Sequence, residues 1–377
     1  MDKYDVIVIG LGAMGASAAM QLAERGRSVL GLDAHEPPHQ HGSHHGESRI
    51  IRKAYYEHPS YVPLLDRTFA LWSEIAARSG QRLITLTGGL MIGHPDGELV
   101  NGVLASARQH ALHHTMLSRE QLAKRFPVFA IDDGMVGVLE PDAGILYPET
   151  CVQAFLDLAK ARNAHLRTGE AVRDWQAEPS GVRVRTDRAT YRASTLVLSA
   201  GAGLGQLAPA MRPRLLVERQ VVMHVTPRTE AARFRPDQLP IFCLEEADAS
   251  FFYGIPDLGN GLKVGQHHAG ATHANADAID RTVNEHDIGN VRAFLARRMP
   301  AGNGPLVSSL VCLYTNTPNM HFAIDHLPGE ENVVVASACS GHGFKFAPVV
   351  GEIIADLVDG KRPSFDLSMF SAQRLVA

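Results

Sequence analysis

The six residues Gly10-Leu11-Gly12-Ala13-Met14-Gly15 constrain this chain more than any others. They follow a short apolar run, Asp5-Val6-Ile7-Val8-Ile9, which is rich in β-branched residues and reads as a buried parallel strand. They open a helical segment that runs to about Arg25 and stops at Gly26. Gly10 permits the tight turn, Gly12 lets the backbone approach a pyrophosphate, and Gly15 lets helix and strand pack closely. The helix start offers free N–H groups and partial positive charge to phosphates. Ser28 to Leu32 reads as the second strand, with Asp33 at its end, 23 residues after Gly10, where an acid accepts hydrogen bonds from a ribose. Strand, glycine turn, helix and acid together predict a Rossmann-like dinucleotide site. The pattern does not separate NAD from FAD. The acid argues mildly against NADP, because it repels a 2′-phosphate.

The 377 residues suit one large domain or two interleaved ones, and 45% hydrophobic against 20% charged residues leaves nothing that reads as disordered. A net charge of -4 with no basic stretch excludes nucleic acid as an expected partner. A small anionic substrate then needs a local positive site. Cys151, Cys243, Cys312 and Cys339 form no Cys-x-x-Cys pair and no disulfide framework, so a reducing compartment is expected. Val6 to Ala23 is uncharged, but its three glycines and the preceding Asp2 and Asp5 fit neither a signal peptide nor a membrane span. A soluble, cytoplasmic protein with no membrane partner is expected.

A long aperiodic loop follows Asp33, and such loops in compact domains are usually functional. Helices are predicted over Tyr61 to Ala77, Cys151 to Asn163 and Ala347 to Asp359. Leu196-Val197-Leu198 and Val333 to Ala336 read as further buried strands, each ending in a glycine-rich turn. Residues 215–325 read as mostly strands, with a hairpin from Phe251 to His267. The expected class is α/β (α+β): a Rossmann-like domain from 1–80, 145–215 and 325–377, interleaved with a mixed-sheet substrate and catalytic domain from 81–144 and 216–324.

Four stretches carry a specific resemblance. They are Asp33 through Arg52, Tyr253-Gly254-Ile255-Pro256 leading into Gly261 through His267, Val311-Cys312-Leu313-Tyr314-Thr315, and Ser340-Gly341-His342-Gly343-Phe344-Lys345-Phe346. In order and spacing the chain resembles the monomeric sarcosine oxidase and N-methyltryptophan oxidase family over essentially its whole length. The resemblance implies FAD, bound covalently as a thioether at Cys312. It implies cofactor contacts at Gly10, Gly12, Ala13, Met14, Gly15, Asp33 and Ala34, and then at His39, Gly42, Ser43, Arg49 and Ile50. Later contacts are implied at Val172, Ala200 and Gly201, and at Leu313, Gly341, Gly343, Phe344 and Lys345.

The resemblance also implies that Arg52 and Lys345 hold a substrate carboxylate, where each charge-assisted hydrogen bond is worth roughly 1.5–3 kcal/mol. Arg49 and Arg52, three apart, share a face if that segment is helical. The resemblance implies that Arg49 lies against the flavin ring, beside His45. By the same resemblance Lys263 stands at the ring's reactive edge, where it assists oxygen. His267 lines the pocket, on the same face as Lys263 if the segment is a strand, and Tyr253 and Tyr314 form walls. The histidines at 39, 41, 44 and 45 lack typical ligand neighbours other than Glu47, so no metal is expected; His39 and His44 shape the loop around the cofactor. The reaction implied is oxidation of a small N-methyl amino acid, sarcosine narrowly ahead of N-methyltryptophan, by O2 and in a monomer. A flavin dehydrogenase or NAD-dependent enzyme is the other enzyme class, and a flavin-bound binding protein the non-enzymatic one. Tyr56, Lys53, Gly203, Cys339 and Ile255 depart from residues usual in the family, which bears on the substrate side chain more than on the reaction.

Overall fold

A computed structural model describes residues 3–376. The chain folds around two large sheets and a small one. In the first sheet five parallel strands run in the order His165–Arg167, Val29–Leu32, Lys3–Ile9, Thr190–Leu198, Glu330–Ser337. The opening strand is central, with Ile9 level with Leu32 on one side and Leu198 on the other. Its uninterrupted apolar run has a direct cause: Val6 and Val8 pack into one core, Ile7 and Ile9 into another. Helices Ala13–Glu24, Val62–Ser79, Pro148–Lys160 and Ala347–Val358 cover the first of these faces. They begin and end within a few residues of the sequence expectation. The first and last approach so closely that a Cβ on Gly351 would stand 2.2 Å from Ser17 Oγ.

The second sheet takes its strands from residues 89–140 and 216–316 and is mixed: Ile241–Glu245 runs parallel to Gly89–Gly93, and the other pairings are antiparallel. One face is closed by the helix Glu285–Arg298, whose Val291, Phe294 and Leu295 meet Phe252, Leu262 and Val264. Phe252 and Phe294 stack at 4.2 Å. This helix corrects the reading of 215–325 as mostly strands; its start is a capping box between Asn284 and Asp287. With Phe242, Phe252, Leu262 and Val264 committed to that core, strand alternation sends Cys243, Tyr253, Lys263 and His267 to the opposite face. Cys312 and Tyr314 of Leu306–Asn316 join them there.

The small sheet holds Arg49–Ile51 against Gly144–Leu146, which pairs in turn with Ile84–Leu86. Arg49 therefore begins a strand and not a helix, so the helical condition for a shared face with Arg52 is not met. The adjacent β-branched Ile50 and Ile51, paired with Ile145 and Gly144, decide the matter. No described helix is long and apolar enough to cross a membrane.

Candidate active site

One cavity of about 660 Å³ runs from the glycine turn to the face of the second sheet. At its first end the helix Ala13–Glu24 starts at Gly12 with no side chain capping its amides and no acid in its first turn, so those N–H groups point at an open site. Gly10 has φ +89°, and a Cβ there would stand 2.6 Å from the Ser199 carbonyl oxygen. Gly15 does not reach the cavity; a Cβ on it would lie 1.7 Å from the Gly10 carbonyl oxygen, so it serves helix–strand packing. Asp33 accepts the amides of Leu11 at 2.8 Å and His35 at 2.9 Å, and His39 Nε2 lies 3.3 Å from it. Burial alone would raise its carboxyl, but hydrogen bonds from His39, His35 and Leu11 hold it below the usual carboxylate range. It is an anion ready to accept further donors. Ala34, Val172, Ala200 and Gly201 line this end as expected.

The loop after Asp33 packs over the turn. The His44 ring lies against Gly12 and Gly42, where added Cβ atoms would be 3.1 and 3.0 Å from Nδ1. Burial, reinforced by His39, pushes His44 down to about 3, so it is a neutral packing group. Arg281 donates to the carbonyls of Gln40 at 3.0 Å and His41 at 2.8 Å and pins the loop from the second sheet's side. Among the described residues no group of three or more His, Cys, Asp or Glu side chains is arranged to hold a metal.

At the far end cations converge. Arg49 donates to the carbonyls of Ser43 at 2.9 Å, His45 at 2.6 Å and Ser48 at 2.8 Å, and its Nη2 lies 3.5 Å from Cys312 Sγ. His45 stands behind this wall and does not line the cavity; burial and Arg49 push it down to about 4. Lys263, 2% exposed, donates to Gly46 O at 2.6 Å, Ser48 O at 3.0 Å and Ser48 Oγ at 3.3 Å. Burial and the Arg49 charge push its ammonium down to about 7. His267 lies on the same face, 3.3 Å from the Tyr314 hydroxyl and packed on Gly341. Burial, then His268 and His342, hold it neutral.

Arg52 is buried between the rings of Tyr55 and Tyr56, its Cζ 4.4 and 4.8 Å from their centroids. Its Nη2 donates to both oxygens of Glu57 at 2.8 Å. Lys345 donates to His342 O at 2.6 Å and lies 3.4 Å from the Tyr55 hydroxyl. Burial and Arg52 push Lys345 down to about 7, with Glu57 pulling the other way. Cys243, Tyr56, Phe251, Tyr253 and Ile255 line the adjoining wall, with Tyr56 stacked on Phe251 at 5.2 Å. All the other expected contacts, from Met14 and Ile50 to Leu313, Gly343 and Phe344, line the same cavity.

The sequence reading missed Glu57, Tyr55, Glu170, Phe251 and Glu149. Glu170 accepts the hydroxyls of Thr186 at 2.7 Å and Tyr191 at 2.8 Å and also lines the cavity. Glu57 carried a usable signal: an acid five residues beyond Arg52 in a segment already singled out.

The donor set fits FAD: open helix amides for a pyrophosphate, an ionised acid for a ribose, and cations at the far end for a ring that gains negative charge on reduction. The sequence matches the family described as FAD dependent oxidoreductase over residues 5–357. It is 40% identical to the monomeric sarcosine oxidase of Streptomyces avermitilis, over 99% of this chain and 98% of that protein. It is 35% identical to the N-methyl-L-tryptophan oxidase of Salmonella newport, over 99% of each. Among solved structures it is similar to NikD, an unusual amino acid oxidase essential for nikkomycin biosynthesis, with a TM-score of 0.86, 26% identity and 98% of both chains covered.

Proposed function

The chain belongs to the FAD dependent oxidoreductase family, and from that membership we infer its reaction: it is an FAD-dependent amine oxidoreductase that oxidises the CH–NH bond of N-methyl amino acids. We propose sarcosine and other small N-methyl amino acids as substrates, O2 as acceptor, and the primary amino acid, formaldehyde and hydrogen peroxide as products. The observation that supports this most is the convergence of Arg52, Lys345 and Lys263 on one end of a cavity whose other end fits a dinucleotide. N-methyltryptophan is the second reading, favoured by the aromatic wall of Tyr56, Phe251 and Tyr253.

When bound, FAD supplies a two-electron acceptor for the C–H bond beside nitrogen and returns those electrons to O2. In the proposed reaction Arg52 and Lys345 orient the substrate carboxylate. The same cations disfavour a third positive charge, so the pocket takes the amine in its neutral form. His267, itself neutral, adds no further positive charge beside the amine. Tyr253 and Tyr314 wall the pocket and exclude water. Lys263, when protonated, would supply positive charge at the end of the cavity that would hold the cofactor's ring. Cys312, 5% exposed and lining the cavity, is the proposed covalent attachment point. We assign 1–80, 145–215 and 325–377 to the cofactor-binding domain and the intervening segments to the catalytic one. All four cysteines are free, which fits the reducing cytoplasm, and we propose that the enzyme acts there as a monomer.

The test is an anaerobic titration of the yellow protein with a panel of N-methyl amino acids, read as loss of the flavin absorbance. Sarcosine should bleach it, with formaldehyde formed in equal amount. If no member of the panel bleaches the pigment, the assignment falls.

A further inference from the structure

The carbonyls that hold Lys263 belong to a turn with one backbone hydrogen bond of its own, from the Ser48 amide to the Gly46 carbonyl at 2.8 Å. Gly46 has φ +100° and Glu47 has φ +68°, the latter a left-handed conformation unusual for a residue with a side chain. The turn is fixed from outside at three points. Glu149 Oε1 accepts the amide of Gly46 at 2.7 Å and of Glu47 at 3.0 Å. Lys263 donates to the carbonyls of Gly46 and Ser48 from the opposite side. Asn260 donates to the Glu47 carboxylate. Glu149 lies in the first turn of the helix Pro148–Lys160, anchored in the first core through Val152, Phe155 and Leu156. A rigid element of one region therefore reaches the turn that seats the ammonium of another. The peptide between Gly46 and Glu47 is the link, its N–H on Glu47 donating to Glu149 and its C=O on Gly46 accepting from Lys263.

We propose that Glu149 is a positioning residue for Lys263, fixing the 46–48 turn so that its carbonyls seat the ammonium at the oxygen-reactive end of the cavity. Without Glu149 the two amides lose their acceptor and the left-handed turn loses its reason to persist. The carbonyls of Gly46 and Ser48 then move, and the ammonium moves with them. The Glu149 and Glu47 charges also act on Lys263 in the direction that keeps its proton, against burial and Arg49. This inference rests on the proposed role of Lys263 in the oxygen step.

The experiment uses holoenzyme and separates the two half-reactions by stopped flow. Reduction is driven by sarcosine without O2; reoxidation is measured on dithionite-reduced enzyme mixed with O2. In Glu149→Ala, reoxidation should slow by about tenfold or more while reduction changes by less than about twofold. Glu149→Gln keeps an oxygen that can accept both amides and should restore most of the lost rate. The visible spectrum and thermal midpoint of the bound flavoprotein provide readouts independent of turnover, and both should stay near those of the parent. Gly46→Ala strains the same turn at φ +100° and should show the same split if Glu149→Ala does not yield folded holoenzyme. Reoxidation unchanged in Glu149→Ala, or both half-reactions falling together, or no restoration by glutamine overturns the proposal. Lys263→Met separates the two ideas. If it reoxidises normally, the role of Lys263 itself is wrong; if it is slow while Glu149→Ala is fast, only the positioning role is lost.

Discussion

Glu57 occupies the guanidinium proposed to hold the substrate carboxylate, and Glu57→Gln measures the consequence. Both Glu57 oxygens lie 2.8 Å from Arg52 Nη2, and the Arg52 and Glu57 side chains are 4% and 13% exposed. Arg52 and Lys345 contribute two positive charges to this end of the cavity and Glu57 removes one, leaving a net charge of one. A carboxylate that shares the guanidinium with Glu57 sits about 5 Å from it, a repulsion of roughly 3 kcal/mol at an effective dielectric constant near 20. Relaxation of Arg52 reduces the gain to about 1.5–3 kcal/mol, or roughly ten- to hundredfold in Kd. Glutamine keeps one oxygen for Arg52, so the guanidinium stays anchored. One correction enters through Lys345: Glu57 helps it keep its proton, so its loss lets Lys345 titrate at lower pH. The comparison therefore belongs at about pH 6, below the value near 7 that Lys345 has with Glu57 present. The assay is a titration with methoxyacetate, a carboxylate with no amine to oxidise, followed through the flavin spectrum. Tighter binding is expected. Unchanged or weaker binding at that pH, with an intact spectrum, refutes the idea that Glu57 competes for Arg52.

Cys312→Ser removes the proposed sulfur link while leaving a small polar side chain on the same strand face. Acid precipitation should then release the yellow colour into the supernatant, where the parent protein keeps it in the pellet. Colour retained in the variant's pellet would place the link elsewhere. The carboxylate affinity of the parent protein should also depend on pH through Lys345. Binding an anion favours the charged lysine, whose free value is about 7 and lies below the ordinary 10.5. Below about 7 the proton is already present and affinity is flat. Above it, affinity falls by up to about tenfold per pH unit until the raised value of the complex is passed. Methoxyacetate titrations from pH 6 to 9 check this, and an affinity independent of pH would remove Lys345 from the anion site.

What the sequence discloses here is what is local or periodic. The glycine turn is legible because strand, turn, helix and acid are contiguous and each has its own physical reason. Lys263 and His267 are placed correctly because a strand's period of two needs only the neighbours Leu262 and Val264 to show which face is core. The relative facing of Arg49 and Arg52 stays open in the sequence because a spacing of three says nothing until the backbone type is known, and pairing with Gly144–Leu146 decides it from about a hundred residues away. Glu149 reads locally as an acid complementing a helix start, a common surface arrangement. That its oxygen serves Gly46 and Glu47 is a tertiary fact with no local trace. The helix Glu285–Arg298 is a different omission. Val291, Phe294 and Leu295 have helical spacing behind a capping box, in a segment flanked on both sides by strands.

The two cations nearest the proposed reaction centre are not independent of each other. The loop 43–48 gives its carbonyls at Ser43 and His45 to Arg49, its carbonyl at Gly46 to Lys263, and its carbonyl at Ser48 to both. A buried ammonium and a half-buried guanidinium repel, and Arg49 is one of the causes that lower Lys263. The shared carbonyl dipoles are what allow both charges to stay in so small a space. The backbone here acts as a polar ligand for cations, which explains why the loop lacks regular structure: its C=O groups are committed to side chains and cannot pair in a ladder. It also explains the left-handed residue Glu47 and the outside anchors on the turn. The long aperiodic segment that looks least structured in the sequence is the part whose hydrogen bonds most directly set the charge at the site.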